Sequence, residues 1–165
     1  MNPGEQKTLF SQWLNQHRAL LFKVVNSYAF TDEDREDLFQ EICLQVWRSV
    51  PAYRGEASVT TWLYRVALNT ALVWTKRERK HREGRHSFDS TEHALARGGS
   101  SDDDRLQWLY DQISRLDEID RSLALLLLDG YNYREMAEML GISESNVGVK
   151  IHRIKKHLIT RAGKD

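Results

Sequence analysis

Apolar residues return every three or four positions along most of this chain, a spacing that helices satisfy and strands do not. Leu9, Phe10, Trp13, Leu14, His17, Leu20, Leu21, Val24, Val25 and Tyr28 share one such stripe, which predicts a single long amphipathic helix. Leu38, Ile42, Val46, Trp47 and Val50 mark a second, from about Asp32 to Val50, with acids crowding its first turn where the helix dipole favours them. Pro51 stops it, and Ala52 to Thr60 (AYRGEASVT) reads as a loop. A third helix follows, with Trp62, Leu63, Val66, Ala67, Thr70, Val73 and Trp74 inside, and runs out into a basic block. With β-branched alternation scarce and only two prolines in the chain, the expected fold class is all-α.

The periodicity lapses between His86 and Asp104, where Gly98-Gly99-Ser100-Ser101 lies among acids. This predicts a flexible acidic linker over 86–104, dividing a helical domain at 1–85 from a second at 105–165. Beyond it, Leu106, Leu109, Tyr110, Ile113 and Leu116 mark a fourth helix. Asp117 caps a fifth that carries Ile119 and Leu123 to Leu128, and Asp129-Gly130 closes it.

Twenty-four basic and twenty-four acidic residues cancel, but they are sorted into blocks. Acids dominate from Thr31 to Glu41 and from Asp102 to Asp120. Bases dominate from Lys76 to Arg85 and from Lys150 to Lys164. Distribution matters more than the sum, so zero net charge leaves nucleic acid open as a partner. The longest apolar run, Leu123 to Leu128, is far too short to span a membrane, and residues 1–10 carry no secretory pattern. The expected compartment is the cytoplasm, without membrane insertion. Cys43 stands alone, which excludes an internal disulfide and a zinc site built on paired thiolates. No phosphate-binding glycine loop, HExxH pair or Cys/His cluster is present, so neither catalysis nor a cofactor or metal is expected.

Residues 132–158 read NYREMAEMLGISESNVGVKIHRIKKHL. Asn132 with Glu135 is a capping-box start. Met136, Ala137 and Leu140 face inward, and Gly141 supplies a left-handed turn. Ile142 plugs the corner and Ser143 caps a second helix, whose buried stripe is Val147, Ile151, Ile154 and Leu158. This is a helix-turn-helix plan, in which early residues of the second helix reach base edges in the major groove. Here they are Glu144, Ser145, Asn146, Gly148, Val149 and Lys150, with Arg153 one turn on. Asn suits adenine, and Lys or Arg suits guanine or phosphate. Lys155, Lys156, His157 and Arg161 would lie along the sugar-phosphate backbone.

Three stretches occur in order: DREDLFQEICLQVWR (Asp34–Arg48), YRGEASVTTWLYRVALNTA (Tyr53–Ala71) and the helix-turn-helix. Together they resemble the extracytoplasmic-function (ECF) group of the bacterial sigma-70 family of transcription initiation factors. The resemblance implies that the acidic helix docks on the β′ clamp of core RNA polymerase through Asp37, Gln40, Glu41 and Arg48. It implies that the loop and following helix melt the −10 element and hold its strand. Tyr53, Ser58 and Thr60 would line the loop side, with Tyr64, Arg65, Asn69, Lys76, Arg77, Arg79 and Lys80 along the strand. Trp62 and Trp74 belong to the core by their spacing. The helix-turn-helix would read the −35 element as duplex. Further partners implied are the polymerase β flap and an anti-sigma protein. The chain departs from the family at Gly148, where a basic residue is common, and at Val149, where a small polar one is. The competing reading is a free-standing helix-turn-helix regulator with a helical effector domain. It accounts for residues 132–158 but leaves Gln40-Glu41 and TWLYRVALN without a task.

Overall fold

The computed structural model describes residues 1–83 and 101–163, and every regular element among them is helical. The chain forms two compact units, Met1–Ser90 and Thr91–Asp165. In the first, α1 (Pro3–Gln16), α2 (Arg18–Tyr28), α3 (Asp32–Ser49), a 3₁₀ turn (Val50–Ala52) and α4 (Val59–Glu83) follow in order. The second holds α5 (Ser101–Ser114), α6 (Glu118–Leu128), α7 (Tyr133–Leu140) and α8 (Glu144–Ala162).

The single long helix expected across Leu9 to Tyr28 is two helices broken at His17, whose φ of −117° and ψ of 24° lie outside the helical region. The His17 N–H still donates to the Trp13 carbonyl at 3.0 Å and its own carbonyl accepts from Leu21 at 3.2 Å. The two bonds bracket the break and share His17, so the apolar period carries over it, which is why periodicity does not reveal it. The two halves serve different neighbours: α1 packs on α3 and the 3₁₀ turn, α2 on α3 and α4. Leu21, Val24, Leu38, Ile42, Val46, Leu63, Ala67, Leu68 and Ala71 close this core with no residual exposure. A fully buried Leu, Ile or Val contributes roughly 1.5–3 kcal/mol each. Thr31 starts α3, its hydroxyl accepting from the Asp34 N–H at 3.1 Å.

In the second unit α5 begins at Ser101, so Asp102 to Asp104, read from sequence as the end of the linker, occupy helix. Acids favour a helix N-terminus, a preference that outweighs the loop character of the Gly-Gly-Ser sequence before Ser101. The remainder of the expected linker, including Asp89, Glu92 and Arg97, lies outside the described residues. The run Leu123 to Leu128 does not all point inward: Leu123, Leu125 and Leu126 are buried, whereas Leu128 is 45% exposed. Six consecutive residues go more than once around a helix, so the run must reach the outer face. In exchange, Arg121 and Ser122 are buried, with Arg121 Nη2 donating to the Leu116 carbonyl at 2.8 Å and Ser122 Oγ to that of Glu118 at 3.1 Å.

The helix-turn-helix forms as its sequence dictates. Asn132 and Glu135 exchange hydrogen bonds at 2.8 and 3.0 Å, and Gly141 takes φ 70°, ψ 34° with its N–H on the Ala137 carbonyl. Ser143 Oγ accepts from the Asn146 N–H at 3.0 Å. Met136, Met139, Val147, Ile151 and Ile154 are buried, while Ala137, Leu140 and Leu158 are half-buried.

Candidate nucleic-acid interface

Asp34, Asp37 and Glu41 stand three and four residues apart on α3, hence on one side of it. Each meets α4. Arg82 Nη2 lies 2.7 Å from Asp34 Oδ2, Trp74 Nε1 donates to Asp37 Oδ2 at 2.8 Å, and Arg77 Nη2 lies 3.5 Å from Glu41 Oε1. The acidic stripe expected to await a basic partner is thus engaged within the unit, and Arg77, expected along a DNA strand, is paired with it. Such pairs, with their arginines more than half exposed, contribute about 0–1 kcal/mol, so they exchange readily for a better partner. Gln40 and Arg48 of the same helix are exposed. Between the helices a groove of about 320 Å³ is lined by Glu41, Gln45, Asn69, Val73, Trp74 and Arg77. Trp74 is 3% exposed, as its spacing predicts. Trp47, flanking the stripe, is half-buried, edge-on to Phe10 at 5.3 Å.

The loop after the 3₁₀ turn is held by an aromatic cluster. Tyr53, Trp13 and Trp62 meet pairwise with ring centroids 5.2–5.5 Å apart. Tyr53 Oη donates to the Ala57 carbonyl at 2.6 Å, and Gly55 at φ 75° makes the bend between them. Tyr53 therefore closes the loop from within. Trp13, from a different helix, supports it, a role no local spacing announces. Ser58, expected to line a base pocket, begins α4: its Oγ accepts from the Thr61 N–H at 3.2 Å and its carbonyl from Trp62 at 2.9 Å. Thr60, expected on the loop, lies in the first turn of α4, and both it and Arg65 are exposed. Tyr64 corrects the sequence reading: it is 1% exposed, inside the core with Lys23 Nζ 5.1 Å from its ring centroid, and cannot touch a strand. It lies on the same α4 face as Leu63, Ala67 and Leu68, and an aromatic of that volume is most stable there. Lys76, Arg79 and Lys80 are exposed further along α4, and Asn69 is half-buried.

On α8, Glu144, Ser145, Asn146, Val149, Arg153 and Lys156 are exposed on the face opposite Val147, Ile151 and Ile154. Lys150 is half-buried, its Nζ 3.8 Å from Asp120 Oδ1 on α6. Burial pushes the Asp120 carboxyl above its usual range, the Asp117 charge adds to that, and Lys150 and Arg153 pull against it. Gly148 is open to substitution, since a Cβ there would sit 3.7 Å from the Tyr133 ring, an ordinary contact. Gly148→Ala is expected to stabilise the chain by about 1 kcal/mol through helix propensity, read as a higher thermal midpoint. A lower midpoint would mean that α8 is crowded against Tyr133.

Among the described residues no cluster of three or more His, Cys, Asp or Glu could hold a metal, and no helix is long and apolar enough to cross a membrane. Burial pushes the Cys43 thiol up, away from the reactive thiolate.

Residues 13–81 match the family description of sigma-70 region 2, and residues 106–158 that of sigma-70 region 4. The RNA polymerase sigma factor YlaC of Bacillus subtilis is 29% identical over 136 residues, 76% of each chain. The ECF RNA polymerase sigma-E factor of Haemophilus influenzae is 27% identical over 173 residues, 93% of this chain and 86% of its own. Among solved structures, the sigma factor RpoE from Bartonella quintana, bound to the anti-sigma factor NepR, superposes with a TM-score of 0.72 at 19% identity, covering 90% of this chain and 93% of its own. CnrH, bound to the cytosolic domain of CnrY, gives 0.64 at 19% identity, with 96% of this chain and 90% of its own covered. At these identities the superpositions speak for the fold.

Proposed function

The chain belongs to the ECF group of the sigma-70 family, and from that premise we propose how its two units divide promoter recognition. An alternative sigma factor binds core RNA polymerase and directs it to promoter DNA. It is a transcription initiation factor, and bond formation belongs to the polymerase. In our reading the unit built from α1 to α4, residues 1–85, docks on the β′ clamp through Asp37, Gln40, Glu41 and Arg48. The loop closed by Tyr53, with Thr60, Arg65, Asn69, Lys76, Arg77, Arg79 and Lys80, holds the opened −10 element. The unit at 105–165 reads the −35 element as duplex through the exposed face of α8 and meets the β flap. The work is done in the cytoplasm, where the polymerase is.

The observation that carries this reading is the pair of regional matches falling, in order, on the two compact units. It is supported by the polar face α8 turns outward, from Glu144 to Lys156. A few unstacked bases cost a few kcal/mol each, so melting needs the polymerase-bound assembly and free protein should not open DNA. The neighbour solved with the anti-sigma factor NepR supports a similar regulator here.

The test is in vitro transcription with bacterial core polymerase on a pool of random promoter-length DNA, with starts sequenced. Protein-dependent starts that share two upstream motifs at fixed spacing are expected. Duplex binding by the protein alone, without new starts, would favour the free-standing regulator. Arg153→Ala should lower −35-dependent transcription severalfold while leaving polymerase binding intact, and equal loss of both would contradict the assignment of α8.

A further inference from the structure

Asp120 belongs to no motif, yet it stands against the helix that reads DNA. It is the third residue of α6, whose N-terminus is capped by Asp117: the Asp120 N–H donates to Asp117 Oδ1 at 3.0 Å. The Asp120 side chain is therefore not needed for the cap. Its Oδ1 is buried and accepts no hydrogen bond, and Lys150 Nζ stands 3.8 Å from it, too far for a hydrogen bond and within ion-pair reach. Both side chains are about three-quarters covered. Arg153, one turn further along α8, also acts on this carboxylate.

A carboxylate beneath a DNA-reading face is electrostatically adverse, because it repels the phosphates that provide most of the affinity. With its Oδ1 buried and three-quarters of the side chain covered, burial also works against its charge. A pair of this kind is poorly explained by stability. It does restrain the lysine, a compact charge on a flexible four-carbon stem that otherwise takes the nearest phosphate. Phosphate contacts carry no sequence information, whereas a lysine fixed at a base edge discriminates guanine.

We infer that Asp120 is a positioning residue for promoter reading: its carboxylate holds the Lys150 ammonium against α6, so that Lys150 meets one base edge at a fixed place. This rests on the assignment of α8 to the −35 element. The restraint trades non-specific affinity for sequence preference.

The full chain is assembled with core polymerase as wild type, Asp120→Asn, Lys150→Ala and the double variant, and each selects promoters from a randomised pool. Asp120→Asn is expected to lose at least about threefold preference at one or two adjacent base pairs of the upstream motif, leaving the downstream motif unchanged. Its binding should also fall more steeply with salt, by about one phosphate contact. Lys150→Ala should lose the same preference without the steeper salt dependence, and the double variant should match Lys150→Ala. A wild-type base profile and salt slope for Asp120→Asn, beside a changed profile for Lys150→Ala, would overturn the role of Asp120 alone. An unchanged profile for Lys150→Ala would overturn the assignment of α8, and this inference with it. A merely structural Asp120 would lower the melting temperature of Asp120→Asn and reduce use of all promoters equally, which likewise refutes the proposal. Asp120→Ser removes the same charge with a smaller side chain and gives the same readings should Asp120→Asn fail to assemble.

Discussion

Trp74→Ala is expected to destabilise the N-terminal unit by about 3–5 kcal/mol, enough to leave much of it unfolded at 37 °C. The indole is 3% exposed between α3 and α4, and its Nε1 donates to Asp37 Oδ2 at 2.8 Å. Alanine removes the ring, opens a cavity in the principal helix pair of the unit, and leaves Asp37 without that donor. Trp74→Phe separates the contributions: it keeps most of the ring and loses the hydrogen bond to a charged acceptor, worth roughly 1.5–3 kcal/mol. Equilibrium urea unfolding followed by circular dichroism reads both. Equal losses in the two variants would mean that the hydrogen bond, and not packing, holds α3 to α4. The consequence for function is direct, because the packing that buries Trp74 also places Asp37 and Glu41 on the exposed side of α3.

Glu41→Arg should weaken binding to core polymerase by at least tenfold with the fold intact. The carboxylate is half-buried and 3.5 Å from Arg77. Reversal places two guanidinium groups together on the surface that we assign to a basic partner. The internal loss is small, about 0–1 kcal/mol for an exposed pair. Breaking a well-formed intermolecular charge contact costs about 2–5 kcal/mol, which is where a tenfold or larger effect arises. Glu41→Gln, which keeps the shape and loses the charge, should fall between wild type and reversal. Fluorescence anisotropy of labelled protein titrated with core polymerase measures the affinity, and a thermal melt controls for folding. Unchanged affinity in Glu41→Arg would remove the acidic stripe of α3 from the polymerase interface. The expected loss of affinity would instead mean that the polymerase takes Glu41 from Arg77, which is then free to meet DNA from α4.

Much of this molecule is written in local patterns. The helices follow from apolar spacing, and Asn132, Gly141 and Ser143 place the turn of the helix-turn-helix because capping and a left-handed residue act within three or four positions. The same locality explains the misreadings. Spacing cannot distinguish a continuous helix from one broken at His17 when the apolar period carries over the break. It places Val73 inside with its neighbours on the third helix, although that side chain is 66% exposed. The resemblance places Tyr64 along the DNA strand, although the ring is buried, since an aromatic with a hydroxyl fits either place. A resemblance to known relatives adds which surfaces to consider, and says nothing of what they already hold.

What the sequence determined by itself, then, is an all-helical chain with a capped DNA-reading motif and charge sorted along it, because each of those depends on residues a turn or less apart. Only the tertiary structure decided which charges meet: Asp34 with Arg82, Glu41 with Arg77, Asp37 with Trp74, Asp120 with Lys150. It also decided that Trp13, forty residues upstream in the chain, supports Tyr53 and its loop. Those pairings join residues thirty to forty-eight positions apart, and they depend on how helices cross, a quantity set by the packing of whole faces and not by any short stretch of sequence.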